Sequence, residues 1–303
     1  VRDLFADDSG RVTGVRIARP DGTDEDVGCS ALILACNGFG GSPDMLAEYI
    51  PEMVDAHYHG HDGNKGDAVK WGLELGAAVA DMHSFQGHGA VTDPHKIHLG
   101  WPSISEGGIQ VNASGERFSN ENAGYSEQAL NVIRQPGHVA WTIFDDRCHK
   151  TALQFHSHQE CEKAGAIRTA ANASEITAIV GCPDEAVAET LASVAAMAGG
   201  EREDPFGRDL TRHPPLEPPY KVAKVTGALF HTQGGLEVDK QARALRPDGT
   251  PMPNLFAGGG AARGLSGPED WGYLSGSGLL MATNLGRLAG EAAAQLVLAE
   301  AAS

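Results

Sequence analysis

The 303-residue sequence lacks several features that mark well-known protein classes. Its five cysteines are odd in number and include no Cys-x-x-Cys pair, which argues against a disulfide framework or a zinc site and favours a reducing cytoplasm. Lysine and arginine total 23 against 40 aspartates and glutamates, so a net charge of −17 argues against nucleic acid or an anionic membrane as the main partner. No apolar run approaches the roughly 18 residues of a membrane span, and no signal peptide is visible. We therefore expect a cytoplasmic protein without a membrane span.

Three motifs of familiar enzymes are also absent. No Gly-x-Ser-x-Gly is present, so a nucleophilic triad has no support. No His-Glu-x-x-His zinc motif occurs. No Gly-x-Gly-x-x-Gly follows a first strand, which argues against a complete dinucleotide-binding fold. The chain also begins with Val1 instead of an initiator methionine, so we expect an amino-terminal part of the same protein to precede it.

Glycine is abundant, with 39 copies that cluster after predicted strands. The continuous apolar run at 31–35 is typical of a strand buried on both faces, and glycines follow it. Near the other end, a strand at 254–257 leads into three glycines and then into a long helix from about 277 to 302. Strand, glycine loop and helix form an arrangement that suits nucleotide binding.

Other elements are predicted from shorter patterns. Residues 11–19 alternate apolar and polar before a Pro-Asp-Gly-Thr turn, which predicts a hairpin. Ser42 before Pro43 predicts the N-cap of a short helix that ends near residue 49. Further helices are predicted at 67–76, 122–134, 174–180 and 184–198, and further strands at 108–112, 139–144, 225–230 and 235–238. The proline-rich stretch 204–219 is interpreted as an extended connection between domains.

Several segments form an ordered set of motifs along the chain. Residues 32–41 are Leu-Ile-Leu-Ala-Cys-Asn-Gly-Phe-Gly-Gly, and residues 66–68 are Gly-Asp-Ala. Residues 108–121 contain Gly-Ile-Gln-Val-Asn and Gly-Glu-Arg-Phe-Ser-Asn-Glu, and further motifs lie at 231–235, 253–259, 276–279 and 286–290. In this order the segments resemble the motifs of the fumarate reductase/succinate dehydrogenase flavoprotein family, which includes ketosteroid and tricarballylate dehydrogenases. The ordered set covers nearly the whole chain.

The resemblance implies an FAD-dependent oxidoreductase of mixed α/β (α+β) class. It implies an incomplete FAD-binding Rossmann-like domain at 1–88 and 226–303, with an inserted α+β capping domain at 89–225. It places FAD against residues at the strand ends and at the start of the last helix: Cys36, Asn37, Gly38, Asp67, Gly258, Gly259, Ser277, Gly278 and Leu279. The sequence departs from the family where Gly259 stands for a ribityl-binding Glu and Asn37 stands for a Gly.

The catalytic positions depart further from fumarate reductases. The arginine that delivers a proton there corresponds to Tyr125 in this chain, and the arginine that holds a carboxylate corresponds to Tyr273. The upstream segment 99–105 has neither Glu nor Arg to relay a proton. His88 and His231 match the substrate-binding histidines. A tyrosine at both places resembles the ketosteroid dehydrogenases, where one tyrosine takes up hydrogen and another binds a ketone oxygen.

We therefore expect hydride transfer between flavin and a C–C bond beside a carbonyl or carboxyl group, with fumarate a poor substrate. Tyr273 and His231 are the first catalytic candidates, Tyr125 and His88 the second. The expected partners are a small-molecule substrate and an unidentified electron donor or acceptor. Two alternatives stay open: a metal-dependent hydrolase that uses His57, His59 and His61, and a non-catalytic flavoprotein fragment. The cluster at 156–158 is predicted to lie at the surface.

Overall fold

The computed structural model describes residues 1–267 and 271–302, and the chain divides into two compact units. The first unit comprises Val1–Val54, Gly60–Gln86 and Phe230–Ser303, and the second comprises Asp55–His59 and Gly87–Leu229. Both units mix helices and strands, which confirms the predicted mixed α/β class. The capping role of residues 89–225 stays a prediction.

Strands and helices are interspersed along the chain. The strands are β1 (Asp3–Ala6), β2 (Val12–Ala18), β3 (Asp24–Gly28), β4 (Leu32–Leu34), β5 (His57–Tyr58), β6 (Val79–Ala80), β7 (Phe85–Thr92), β8 (Ile109–Val111), β9 (Val139–Asp145), β10 (Arg168–Ala170), β11 (Tyr220–Thr232), β12 (Gly235–Leu236), β13 (Arg243–Leu245) and β14 (Pro251–Ala257). The α-helices are α1 (Pro43–Tyr49), α2 (Asp67–Glu74), α3 (Pro102–Ser105), α4 (Glu127–Ile133), α5 (Asp146–Ala152), α6 (His156–Lys163), α7 (Ala173–Val180), α8 (Ala186–Ala198) and α9 (Ser277–Ala301).

The first unit is built from small sheets around an apolar core. Strands β1, β2 and β3 form an antiparallel sheet, and a second sheet has the order β13-β14-β4 with β14 and β4 parallel. Buried Leu34, Leu236, Leu255 and Phe256 pack with Leu285 of α9 in one hydrophobic cluster. The parallel pair matters for function because the carboxyl ends of neighbouring parallel strands meet at one edge of a sheet.

The second unit is built around a larger mixed sheet. Its strands run in the order β10-β11-β9-β8, and β5 and β7 also pair with β11. Two hydrophobic clusters cover this sheet, one around Ile109, Ile143 and Ile176 and one around Leu99 and Phe144. This unit also buries a charged network, which the first unit does not do within the described residues.

Most predicted elements are present with small shifts in their ends. The hairpin is formed by β2 and β3, and the last helix begins at Ser277 as predicted. Helix α4 begins only at Glu127, and α8 begins at Ala186 because Glu185 has a left-handed backbone with φ 73°. Ser42 precedes α1, yet its side chain makes no capping hydrogen bond.

Three predictions about burial and position are wrong. Strand β4 is not buried on both faces, since Ile33 is 38% exposed. The proline-rich stretch 204–219 lies inside the second unit, held there by ion pairs of Asp204 with Arg117 and of Arg208 with Glu121. His158, predicted at the surface, is fully buried because it bonds to the main chain of Gly100 and to the ring of His149.

In the part of the chain that the structure describes, no helix is long and apolar enough to cross a lipid bilayer. The cytoplasmic location stays a prediction.

Candidate functional site

The carboxyl ends of β4 and β14 lie side by side in the first unit. Phe256 pairs with Ile33 and Ala257 with Leu34 in parallel register, and Gly258 N–H donates to Leu34 O at 3.0 Å. The chain leaves β4 through Cys36, Asn37 and Gly38 and leaves β14 through Gly258 and Gly259. The structure therefore brings together the two glycine-rich segments that the sequence predicts as cofactor-binding.

Main-chain segments approach one another closely where these loops meet. A Cβ on Gly38 would lie 2.1 Å from Thr232 Oγ1, whose oxygen accepts a hydrogen bond from Phe39 N–H at 3.2 Å. A Cβ on Gly260 would lie 2.1 Å from Asn37 Oδ1, and Asn37 itself has a φ of 67°. A side chain at 38 would press on Thr232 Oγ1, and one at 260 would press on Asn37 Oδ1, so glycine at both positions allows this close packing.

Helix α9 begins with amides directed out of the helix. Its N-cap is Gly276, so no side chain caps the first turn, and a Cβ there would meet nothing within 4 Å. Ser277 N–H donates to Leu274 O and Leu280 N–H donates to Gly276 O. Within the described residues, the amides of Gly278 and Leu279 are left for a ligand. A 25-residue helix adds a partial positive charge at this end, which favours a negatively charged group.

His231 faces the start of α9 as a neutral ring. Its Nδ1–H donates to Thr232 O at 3.1 Å, which makes Nε2 the accepting nitrogen. A Cβ at Gly278 would lie 3.1 Å from Nε2, so this nitrogen points at the first turn of α9. Burial lowers the pKa of His231, which keeps the ring uncharged. In this form Nε2 accepts a hydrogen bond and does not donate one.

Gln233 links His231 to the helix start. Its Nε2 lies 3.0 Å from His231 Nδ1 and 3.2 Å from His231 Nε2, and its Oε1 accepts from Ser277 Oγ at 3.4 Å. Gln233 is buried. The sequence reasoning did not select Gln233, although it fills the variable position of the His-Thr-x-Gly-Gly segment.

Tyr273 lies beside His231 in the same unit. The two rings meet edge to face with centroids 6.3 Å apart. The phenol of Tyr273 supplies a hydroxyl that can donate a hydrogen bond, and the neutral imidazole beside it supplies an accepting nitrogen. The first pair of predicted catalytic residues is thus brought together.

The second pair, His88 and Tyr125, lies together in the second unit. The rings stack with centroids 5.3 Å apart and an interplanar angle of 23°, and Trp101 contacts both rings edge-on. His88 is buried, whereas Tyr125 is half-buried. Ala90 N–H donates to His88 Nδ1 at 3.1 Å, and His88 Nε2 lies 2.8 Å from His98 Nε2. Both ring nitrogens of His88 are therefore engaged by the protein.

The histidines proposed for a metal site are not arranged as ligands. His57 and His59 meet edge to face with centroids 5.7 Å apart, and His61 Nδ1 accepts a hydrogen bond from Gly63 N–H. Across residues 1–267 and 271–302, no group of three His, Cys, Asp or Glu side chains is placed to hold a metal ion. The metal-hydrolase alternative gains no support.

The residues of the first unit fit FAD. The cofactor carries phosphates and carbonyl oxygens, which need backbone donors, close approach and positive potential. Glycines at two parallel strand ends and the uncapped start of α9 supply these. Asp67 opens α2 directly after Gly66, whose N–H donates to Gly38 O at 3.1 Å, so this predicted contact lies beside the same loop.

Comparisons with known proteins agree with this arrangement. A family model described as "FAD binding domain" matches residues 1–278. The chain is 26% identical over 272 residues to a probable fumarate reductase of Shewanella frigidimarina, covering 90% of this chain and 45% of that protein. It is 28% identical to a 4-oxocyclohex-2-ene-1-carboxylate 5-dehydrogenase of Sinomonas cyclohexanicum, covering 95% of this chain and 55% of that protein.

The fold of the chain is also similar to that of a solved protein structure. The open conformation of a flavocytochrome c3 fumarate reductase matches with a TM-score of 0.78 and 26% identity, covering 97% of this chain and 51% of that one. The chain spans about half the length of the relatives that it matches.

Proposed function

The chain belongs to the FAD binding domain family of fumarate reductase/succinate dehydrogenase flavoproteins, and from this premise we propose a function for it. It forms the flavin- and substrate-binding part of an oxidoreductase that moves a hydride to or from a C–C bond beside a carbonyl group. The observation that carries the proposal is the cluster of His231, Gln233 and Tyr273 at the uncapped start of α9.

When bound, FAD supplies the hydride acceptor or donor at its N5 atom. The amides of Gly278 and Leu279, with the positive end of α9, stabilise negative charge next to them. Tyr273 donates a hydrogen bond to the oxygen of the substrate carbonyl, which polarises the neighbouring C–C bond. Neutral His231 presents its accepting Nε2 to the start of α9, and the Gln233 amide, 3.2 Å from that nitrogen, holds the ring in place.

The substrate class is inferred from the side chains of these groups, since His231, Gln233 and Tyr273 include no cation. A carboxylate is bound best by a bidentate guanidinium, whereas a ketone oxygen needs a neutral donor. Tyr273 and a neutral His231 suit the ketone. The name of the relative from Sinomonas cyclohexanicum describes a compound with both an oxo group and a carboxylate, and the oxo group is the part that a neutral donor suits. We keep Tyr125 and His88 as candidates for handling the proton, and the electron partner is unidentified.

The test uses the full-length protein with its flavin, without oxygen. Saturated cyclic ketones and succinate are added separately, and the visible absorbance of the flavin is followed. We expect bleaching by a ketone and none by succinate. In a second experiment the flavin is first reduced chemically, and an enone or fumarate is then added to reoxidise it. A flavin that responds to none of the four compounds would favour the non-catalytic alternative.

Tyr273→Phe tests the polarising donor. We expect turnover of a ketone substrate to fall by roughly ten- to a thousandfold, the usual cost of one positioned donor, with flavin content unchanged. Tyr49→Phe serves as the matched control, because Tyr49 lies in α1 and packs on Phe39. Wild-type turnover in Tyr273→Phe would make Tyr273 a packing residue.

A further inference from the structure

A row of hydrogen bonds runs through buried histidines of the second unit, and the donors in it can be assigned. Ala90 N–H points at His88 Nδ1, so that nitrogen carries a lone pair. A neutral imidazole must then carry its proton on Nε2, which donates to His98 Nε2 at 2.8 Å. His98 in turn carries its proton on Nδ1 and donates to Ser157 Oγ at 3.0 Å.

The Ala90 amide therefore sets the tautomer of both rings: His88 carries its proton on Nε2, and His98 carries its proton on Nδ1. If His98 took a second proton, its Nε2–H would face His88 Nε2–H, and two donors would point at each other. His88 could avoid this only by moving its proton to Nδ1, where the proton would face Ala90 N–H. Burial also opposes charge at this position, and it lowers the pKa of His98 to about 4. Both rings are thus held neutral in one orientation.

The fixed ring of His88 carries Tyr125. The phenol stacks on His88 at a centroid distance of 5.3 Å, and Trp101 closes the cluster at 5.3 Å from His88 and 5.8 Å from Tyr125. Main-chain contacts hold the same segment, since Gly89 N–H donates to Tyr125 O at 2.9 Å and Gly87 N–H donates to Ser126 Oγ at 2.8 Å. Any rotation of His88 would move the face on which Tyr125 rests.

We propose that His98 is a positioning residue for Tyr125: it accepts the His88 Nε2–H and thereby keeps the His88 ring in the orientation on which Tyr125 stacks. The effect on turnover rests on the proposed function, in which Tyr125 is a candidate for handling the proton. The tautomer assignment does not rest on it. His98 was not selected from the sequence, where no motif includes it.

A second histidine pair in the same unit provides a matched control. Gly100 N–H donates to His158 Nδ1 at 3.3 Å, His158 Nε2–H donates to His149 Nδ1 at 3.0 Å, and His149 Nε2–H donates to Glu162 Oε1 at 3.1 Å. This pair is also set by a backbone amide, but its aromatic neighbour is Phe144. Breaking it costs comparable hydrogen bonds, and the ring contacts of this pair are with Phe144 and not with Tyr125.

Two substitutions at His98 separate hydrogen bonding from packing. His98→Gln keeps an oxygen that accepts from His88 Nε2–H and an amide that donates to Ser157. His98→Met fills similar space and does neither. His158→Met removes the corresponding bonds of the control pair.

The first measurement is ¹⁵N NMR of the full chain with ring-labelled histidine, assigned by single substitutions. We expect the Nε2–H tautomer for His88 and the Nδ1–H tautomer for His98. In His98→Met the Nε2–H of His88 loses its acceptor while Ala90 N–H still faces Nδ1, so we expect the Nε2 resonance of His88 to shift without a change of tautomer. His98→Gln and His158→Met should leave that resonance unchanged. Finding the Nδ1–H tautomer for His88 in the wild type would overturn the proposal whatever the enzyme's reaction turns out to be.

The second measurement is turnover by the flavin-loaded full-length protein. We expect His98→Met to lower kcat by about ten- to a hundredfold, as small displacements of a reacting group do, with His98→Gln within a few fold of wild type. His158→Met should lose stability but not kcat. Unchanged kcat in a folded His98→Met protein would refute the positioning role while leaving the hydride-transfer proposal intact.

Discussion

The two units bury different chemistry. The core of the first unit is apolar, and its candidate site is built largely from main chain, with glycines at strand ends and the start of α9. The second unit buries Glu121 between Arg117 and Arg208, and it also buries His88 and His158. Main-chain donors turned toward open space suit a ligand. Buried side chains that satisfy one another suit a rigid support.

The candidate histidines show the same contrast. His231 Nε2 points at the first turn of α9, and its protein donor is the Gln233 side chain, 3.2 Å away. His88 has both nitrogens engaged, by Ala90 and by His98. His231 therefore lies beside the amides at the start of α9, whereas His88 is linked to another buried ring, and the two residues suit different tasks.

The largest expected effect comes from removing the charge at the centre of the second unit. Glu121 pairs with Arg117 at 2.6 Å and with Arg208 at 2.9 Å, and its side chain is buried. Glu121→Ala leaves both guanidiniums without this partner, so we expect the free energy of unfolding to fall by about 3–5 kcal/mol. Hydrogen exchange of peptides from each unit checks this. Protection should fall in peptides 109–145 and persist in 277–301.

The exposed pair of Arg287 and Glu291 on α9 gives the control for this comparison. Glu291→Ala should cost less than about 1 kcal/mol, since solvent screens surface pairs. If Glu121→Ala were no more harmful than Glu291→Ala, the buried network would not hold the second unit together.

A smaller effect is expected from the main-chain site of the first unit. Gly38→Ala places a Cβ 2.1 Å from Thr232 Oγ1, so the Thr232 side chain or the loop must shift. We expect a loss of about 1–3 kcal/mol in stability together with weaker FAD binding, measured by flavin fluorescence. Gly28→Ala is the control, because its Cβ would meet only Thr13 O at 3.8 Å. Equal FAD affinity in both variants would contradict a flavin site at these loops.

The smallest effect concerns mild acid. His98 and His158 each have a folded pKa lowered to about 4, chiefly by burial, against an ordinary value of 6.5. Nearby His59 also lowers the pKa of His98. The pKa of His158 is lowered further by His149 and His98 and is raised by Glu162. Between pH 6.5 and 4 the unfolded chain holds more protons, so stability falls as pH falls.

Over the single step from pH 6.5 to 5.5, we expect each of these histidines to contribute a loss of about 1 kcal/mol. Urea unfolding at the two pH values measures it, with His158→Gln as the comparison. That variant should lose about 1 kcal/mol less than wild type over the same step. An identical pH response would mean that His158 is charged or exposed in the folded protein.

The sequence by itself determined the local elements and the family. The α9 start at Gly276 and Ser277, the β2–β3 hairpin and the glycine loops after β4 and β14 depend on neighbours within a few residues, so short patterns predict them. The ordered motifs likewise led to the FAD binding domain family because they record spacing along one chain.

Only the tertiary structure decided what several key side chains do. His98 and Ser157 are 59 residues apart in sequence, and Arg208 and Glu121 are 87 apart. His158 is buried although its neighbour His156 is largely exposed, because α6 turns one toward His149 and the other toward solvent. A tautomer or a buried ion pair depends on which distant groups the fold brings within hydrogen-bond distance, and a one-dimensional pattern carries no record of that distance.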